Sequence, residues 1–492
     1  MGVEMVGPCC SNLVNGENSH QVVRVMEAAD MDETSHQVIR TMEAKINQPP
    51  KLLNKYAGNK SCCIFRVPES LVQINEKAYQ PHIISIGPYH HGKEHLKMMQ
   101  EHKWRFLGSL LHRIRRHNVG LFNLFQAIKQ MEDSIRECYS ETIGMDSHGL
   151  IEMMVLDGCF IIELFCIVGR LAETNLDDPI FNMQWILSFL MRDLLRLENQ
   201  IPFFVLRTLF ELTVLGSGQE HIPSLARLTL GFFNYMAQRP IEVLEKHNNL
   251  TGRHLLDLFR MSFLPPSSEE ASRNSNSSEE VSRNSTSIEE TSRKSSSTEE
   301  TSTFLQLIPS ARKLHLAGIQ FKLGKGDSFL DVRFSNGVLQ IPLLTIDDFT
   351  SSVFLNCVAF EQCYNHRSNH ITTYATFMGC LINTPSDAGF LRDHKIIENY
   401  FGTDEEIARF FNNVGKDVAF DIEKSYLSKL FQDVNEYYRN DWHVRWAGFK
   451  HTYFDTPWSF MSALAALILL IFTMIQAFFA IYAYIRPLKN PK

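Results

Sequence analysis

A chain of 492 residues, 44% hydrophobic and 21% charged, has the composition of ordinary globular protein and the length for one large domain or two smaller ones. Its formal net charge of −7 gives no bias towards nucleic acid, and no nucleic-acid partner is expected. Ten cysteines without framework spacing, mostly in apolar runs, exclude a disulfide scaffold and suit reduced thiols in a cytosolic compartment.

Residues 1–50 read as an arm. The opening MGVEMVGPCCSNLV lacks the basic start and continuous apolar run of a secretory signal, so membrane insertion is expected to depend on a later segment. Val6 stands where a myristoylation motif at Gly2 wants Ser or Thr. SHQVVRVMEA at residues 19–28 returns as SHQVIRTMEA at residues 35–44. Two copies cannot build a solenoid. Each is expected to form a short helix in a mobile extension, closed by Pro49 and Pro50, that a protein partner orders.

The folded body is expected to occupy residues 51–265 and 304–455. His82, His90, His91, His95 and His102 crowd one segment, and His91 with His95 has the helical spacing that suits zinc. Gly92 places His91 ahead of the helix, and no Cys pair or carboxylate stands at matching spacing. These residues are therefore read as structural or surface histidines, with no metal expected. The run HRIRRH at residues 112–117 flanks the apolar stripe Leu107, Leu110, Leu111 and Ile114, which makes it a solvated helix face.

Residues 153–168 are apolar almost all round, the pattern of a buried helix. Asp157 and Glu163 exclude a span there, since each would cost ~2.5–3.5 kcal/mol at mid-bilayer. Three polar islands interrupt apolar runs: Asp157 itself, Glu198-Asn199-Gln200 between DLLRL and IPFFVL, and Glu361-Gln362. Such groups ordinarily satisfy buried backbone or pair across a core. The sharper reading makes their carboxylates a general acid or base.

Residues 266–303 change composition completely. SSEEASRNSN, SSEEVSRNST and SIEETSRKSS repeat one decapeptide, followed by a partial STEETST. Ten residues do not return to one helix face and almost nothing is apolar, so a disordered insert is expected, looped out of one fold. Beyond it, QFKL, FLDVRF and GVLQI read as a small β-meander, with Asn336-Gly337 as a tight hairpin turn. Thr403 and Glu406 form a capping box ahead of Ile407, Phe410, Phe411 and Val414. Leu427, Leu430, Phe431, Val434 and Tyr438 mark a further helix.

Residues 458–485 run without a charged side chain. At ~1.5 Å per residue this helix crosses a ~30 Å hydrocarbon core with room to tilt. Trp458 at one end, Tyr482 and Tyr484 at the other, and Arg486, Pro487 and Lys489 in the tail of residues 486–492 supply interfacial and stop features. Ser462, Ala466, Thr473, Ala477 and Ala480, with Gln476 beside them, form a small-residue stripe suited to self-association in lipid. The location expected is a single-pass anchor near the C-terminus, in the plasma membrane or an endomembrane, with the body in the cytosol. Sequons at Asn59, Asn249, Asn276 and Asn284 leave a lumenal body open.

The block CCIFRVPESLVQINEKAYQPHIISIGPYHHGKEHLKMMQEHKWRFL at residues 62–107 begins a likeness that continues through MMVLDGCFIIELF, DLLRLENQIPFFVL, AGIQFK, FLDVRF, GVLQIP, VAFEQC and YFDTPWSFMSALAA. In these blocks and their order the chain resembles the plant-specific family called domain of unknown function 247. The resemblance implies a plant membrane-associated protein; some members are implicated in reproductive processes, and none supplies a catalytic residue to carry over. At residues 395–397 the family more often shows a Gly before the paired Ile, where this chain has Lys395.

The fold class expected is mainly α: a large helical domain with a small β-meander or hairpin and one C-terminal transmembrane helix. No familiar catalytic or nucleotide-binding motif occurs, and no cofactor is expected. A membrane-anchored interaction or recognition protein is the first reading of function. A membrane-tethered enzyme of unknown reaction is the alternative, and it requires the carboxylates or histidines to converge on a pocket.

Overall fold

The computed structural model describes residues 33–48, 52–115, 118–173, 177–214, 222–265, 306–364, 366, 368–400, 402–416, 418–440 and 457–485. The first copy of the duplicated decapeptide, the Ser-rich insert and the C-terminal tail lie outside the described residues. Helix α1 (Glu33–Ile46) contains the second copy and buries none of its residues; Val38, Ile39 and Met42 are exposed along it.

In the first part of the body, α2 (Lys97–Ile114), α3 (Leu121–Lys129) and α4 (Ser147–Val168) are followed by α5 (Gln184–Asp193), α6 (Phe203–Thr213), α7 (Leu225–Ala237) and α8 (Leu255–Met261). Helix α4 is the axis, with α2, α3, α6 and α7 packed round it. Its sequence leaves no polar face, so burial on all sides is the arrangement that removes its side chains from water, each worth ~1.5–3 kcal/mol. Asp146 caps it by accepting from the Gly149 N–H, and the helix stops at Gly169. Gly158 permits the approach of α6: a Cβ there would sit 2.4 Å from Leu209 Cδ1.

The second part holds α9 (Asp348–Cys363), α10 (His370–Leu381), α11 (Pro385–Asp393), α12 (Asp404–Val414) and α13 (Ser428–Arg439). Thr403 and Glu406 form the expected reciprocal cap of α12, whose Ile407, Phe411 and Val414 are buried while Phe410 is half-buried. Helix α9 packs on α5 and α8 from the first part and on α10 from its own, and one hydrophobic core runs from Cys62 to Val434.

Strands β1 (Gln320–Leu323), β2 (Arg333–Ser335) and β3 (Val338–Ile341) form a sheet in the order β1-β3-β2. The β2–β3 hairpin turns at Asn336 and Gly337, with φ of 51° and 74°, the left-handed pair the sequence indicates. Strand β1 joins in parallel beside β3, so the connectivity is a hairpin with an added strand and not a meander. The reason lies in FLDVRF: Leu330 and Val332 are drawn into the core, and Asp331 accepts from the Ser328 N–H, which makes a turn of its first half. A second sheet pairs β4 (Leu344–Ile346) with β5 (Ile397–Asn399) in parallel, a contact across some fifty residues that local pattern does not announce.

Among the described residues the fold is mainly α, with nineteen α-helices against five short strands. The last helix, α14 (Pro457–Ile485), is unbroken. Within it Met461–Tyr482 has a mean hydropathy of 2.6, is 22 residues long, and has no part buried. It is long and apolar enough to cross a membrane.

Candidate functional site

The islands singled out in the sequence organise a segment that has almost no backbone partners. Residues 81–90 lie outside helices and strands, so their N–H groups need acceptors from elsewhere. The turn after α5 supplies them. Asp193 accepts from the backbone N–H of His82 (2.9 Å), Ile83 (2.8 Å) and Ile84 (3.2 Å), and from Arg196 Nε at 3.0 Å. Asn199 accepts from Ile86 N–H and donates to the carbonyls of Ile84 and Asp193. Gln200 donates to the Leu194 and Arg196 carbonyls and accepts from Leu256 N–H.

Asp157 completes the clasp from α4. One carboxylate oxygen accepts from Gly87 N–H at 2.8 Å and the other pairs with Lys103 Nζ at 2.5 Å, both side chains being 1% exposed. Gly87 has φ of 73°, and a Cβ there would lie 2.4 Å from the Gln200 carbonyl oxygen. Only glycine fits that close approach.

Glu198 faces outward from the same turn. It accepts from Arg66 Nη1 at 2.8 Å and from Val67 N–H at 2.9 Å, and its Oε2 lies 3.1 Å from His90 Nε2. Burial pushes the Glu198 carboxyl up, but His90, the Val67 N–H and Arg66 together outweigh it and hold the group below the usual carboxylate range. Burial pulls the His90 imidazole down, with Glu198 opposing. Arg66 also stacks over Tyr89, 4.2 Å from the ring centre.

Glu361 belongs to a second buried network. Its carboxylate accepts from Arg260 Nη1 (2.8 Å) and from the backbone N–H of Ile371 (3.2 Å) and Thr372 (2.7 Å), which caps the N-terminus of α10. Burial raises its pKa, while Arg260 and the two N–H groups pull the other way. Arg260 is shared with Asp257 at 3.1 Å. Gln362, half-buried at the end of α9, exchanges two hydrogen bonds with the backbone of Ala419. These carboxylates thus hold backbone N–H groups and basic side chains.

The five histidines do not converge on one another. His82 Nδ1 meets Arg196 Nη2 at 2.6 Å, His95 Nε2 meets the Pro81 carbonyl at 3.3 Å, and His102 Nδ1 meets Arg105 Nη2 at 2.8 Å. His91 is exposed and precedes the helical turn that begins at Glu94, with Gly92 at φ of 79° between them. Among the described residues no group of three His, Cys, Asp or Glu side chains gathers as a metal site.

A cavity of about 350 Å³ lies elsewhere, between α8, α9 and the loop that follows β1. Phe259, Phe263, Phe329, Phe349, Val353 and Phe354 supply apolar wall, and Arg239, Lys325 and Asp327 are its charged lining. None of Asp157, Glu198, Asn199, Gln200, Glu361 or Gln362 lines it. Arg239 donates from Nη1 to the Ser262 carbonyl (3.0 Å) and from Nη2 to Ser262 Oγ (2.8 Å), and lies 4.1 Å from the Phe263 ring centre. Among the described residues its Nε–H is buried without an acceptor, and burial pulls the guanidinium down to about 10. Asp327 is paired with Lys246. Sequence spacing does not reveal this site because its walls come from five separated stretches of chain.

On α14, the unbroken helix places Ser462, Ala466, Thr473, Gln476, Ala477 and Ala480 within an arc of about 100°. Thr473 Oγ1 donates back to the Leu470 carbonyl at 2.8 Å, and Trp458 is exposed near the start of the helix.

A family model described as plant protein of unknown function, domain of unknown function 247, matches residues 64–472. The chain is 45% identical over 447 residues to UPF0481 protein At3g47200 of Arabidopsis thaliana, covering 90% of this chain and 91% of that one. It is 24% identical over 487 residues to Putative UPF0481 protein At3g02645 of the same plant, covering 85% and 90%. No solved structure matches the chain.

Proposed function

We propose that this chain, which belongs to the plant family of unknown function called domain of unknown function 247, is a membrane-anchored recognition protein that acts by binding a protein partner. Helix α14 holds its helical body at the cytosolic face of the plasma membrane or an endomembrane. The observation that carries the reading is Met461–Tyr482, 22 residues of mean hydropathy 2.6 with no part buried against the body. At ~1.5 Å per residue the segment is roughly 33 Å long, which matches a ~30 Å hydrocarbon core. The family match runs to residue 472, into the middle of this helix. A binding role is favoured over catalysis because Asp157, Glu198 and Glu361 are each engaged by a cation and by backbone N–H groups, away from the cavity.

Fractionation tests the anchor. The full chain should stay in the membrane pellet after an alkaline wash, and a chain ending at Asn440 should become soluble while keeping the helical content of the body. A truncated chain that remains in the pellet without aggregating would show that another segment is embedded. Protease added to sealed microsomes should digest the body, whereas full protection would overturn the cytosolic placement.

A further inference from the structure

We propose that the cavity between α8, α9 and the loop after β1 binds a small organic carboxylate carrying an aromatic or aliphatic body. The proposal holds whether or not α14 spans a membrane, because every group it uses lies in the body.

Size is the first constraint. At ~30 Å³ for each water-sized group, a cavity of about 350 Å³ accepts roughly a dozen non-hydrogen atoms. That volume suits a mono- or bicyclic acid or a medium-chain fatty acid.

The wall chemistry is the second. Phe259, Phe263 and Phe329 come from α8, its end and the loop before β2, while Phe349, Val353 and Phe354 come from α9. Aromatic faces reward an apolar occupant and offer nothing to a hydrated inorganic ion such as phosphate.

Charge is the third, and it sets the sign of the ligand. Arg239 is the guanidinium at the wall, and no carboxylate pairs with it among the described residues. Two of its five N–H donors go to Ser262, Nε–H is sealed without an acceptor, and one proton remains on each Nη. Arg239 is half-buried with its Nε shut from water, a setting that favours a counter-charge, and a carboxylate is the partner that matches its planar donors. The other charges fit this assignment. Asp327 is neutralised by Lys246, Asp331 turns into the Ser328 N–H, and Lys325 sits exposed on the loop between Gly324 and Gly326, where it adds positive potential at the mouth. The occupant inferred is therefore a monoanion whose carboxylate meets Arg239 and whose body lies against the phenylalanines.

The test is a titration of the full-length protein in lipid nanodiscs, with empty discs as the blank. The probes are benzoate, 3-phenylpropionate, 2-naphthoate and decanoate, each beside its primary amide. At least one carboxylate should bind one-to-one, about tenfold or more tighter than its amide, because the amide keeps the shape and loses the charge. Arg239→Gln should bring the acid down to the affinity of the amide, and Val353→Phe, which fills the cavity from α9, should weaken acid and amide alike. The proposal fails if no carboxylate saturates, if acid and amide bind equally, or if Arg239→Gln binds like the parent. Should Arg239→Gln not fold, the acid–amide comparison on the parent protein still decides the charge requirement, and Val353→Phe still decides the place.

Discussion

Asp193→Ala removes the acceptor shared by three consecutive backbone N–H groups and leaves Arg196 buried without its carboxylate. Each orphaned donor costs about 1–3 kcal/mol and a broken buried ion pair about 3–5 kcal/mol. These figures do not add, because Arg196 keeps its contacts with the Lys77 carbonyl and His82, and water can enter the opened clasp. A loss of about 4–6 kcal/mol is expected, against a typical total of ~5–15 kcal/mol. Asp193→Asn keeps the shape and one oxygen, so it can still receive the N–H groups of His82, Ile83 and Ile84, and should lose about half as much. For a body of this size, at ~2.1 cal/mol/K of unfolding entropy per residue, each kcal/mol moves Tm by roughly 1–1.5 °C. Thermal unfolding of the disc-held protein, followed by circular dichroism, should place the alanine variant roughly 5–8 °C below the parent, with the asparagine variant between. An alanine variant that melts with the parent would show that residues 81–90 are held by something other than this clasp.

Lys395 has φ of 59° just beyond the end of α11, with its N–H donating to the Arg392 carbonyl and its side chain exposed. Lys395→Gly relieves ~1–2 kcal/mol of left-handed strain and adds ~0.5–1 kcal/mol of unfolded-state entropy, so stability should rise by roughly 0.5–1 kcal/mol in urea unfolding. A glycine variant less stable than the parent would refute the strain argument. His254 is fully buried, accepting from Asp257 N–H at Nδ1 and meeting the Cys63 carbonyl at Nε2, and burial pulls its imidazole down to about 4. The unfolded chain takes up that proton near pH 6.5, so stability is full above pH 6.5, falls as the pH drops towards 4, and levels off below. At ~1.4 kcal/mol per pKa unit the loss from this group is at most about 3.5 kcal/mol. His254→Gln should flatten the stability profile across that window, and an unchanged slope would assign it to other groups. Ala477→Leu with Ala480→Leu should weaken pairing of labelled copies in vesicles, read by energy transfer, by about 1 kcal/mol or more; unchanged transfer would remove the small-residue stripe as a contact face.

What was legible in the sequence follows the range of the interactions involved. The α12 cap, the Asn336-Gly337 turn and the stripe of α13 depend on residues within a few positions of one another, and each stands where the local pattern put it. Asp157, Glu198-Asn199-Gln200 and Glu361 were visible as polar residues in apolar runs, but the identity of their partners was not, because Asp157 reaches 70 residues along the chain, Glu198 132 and Glu361 101. The parallel placement of β1 and the β4–β5 pair were hidden for the same reason: parallel pairing is fixed by crossover connections and packing, which leave no local signature.

Lys395 shows the converse, a residue whose significance was visible as a departure and became physical only with a backbone angle. The cavity is the extreme case. A phenylalanine that lines a cavity and one that fills a core obey the same hydrophobic periodicity, since both turn away from water. What separates them is the shape left between segments that the chain brings together last, and the charge of a residue such as Arg239 that finds no partner there. An unmatched charge at an apolar wall is a local conflict, and natural folds retain such conflicts mainly where a ligand resolves them. Arg239 is thus a position at which a charge at an apolar wall meets no carboxylate among the described residues, and the acid–amide comparison asks directly what closes it.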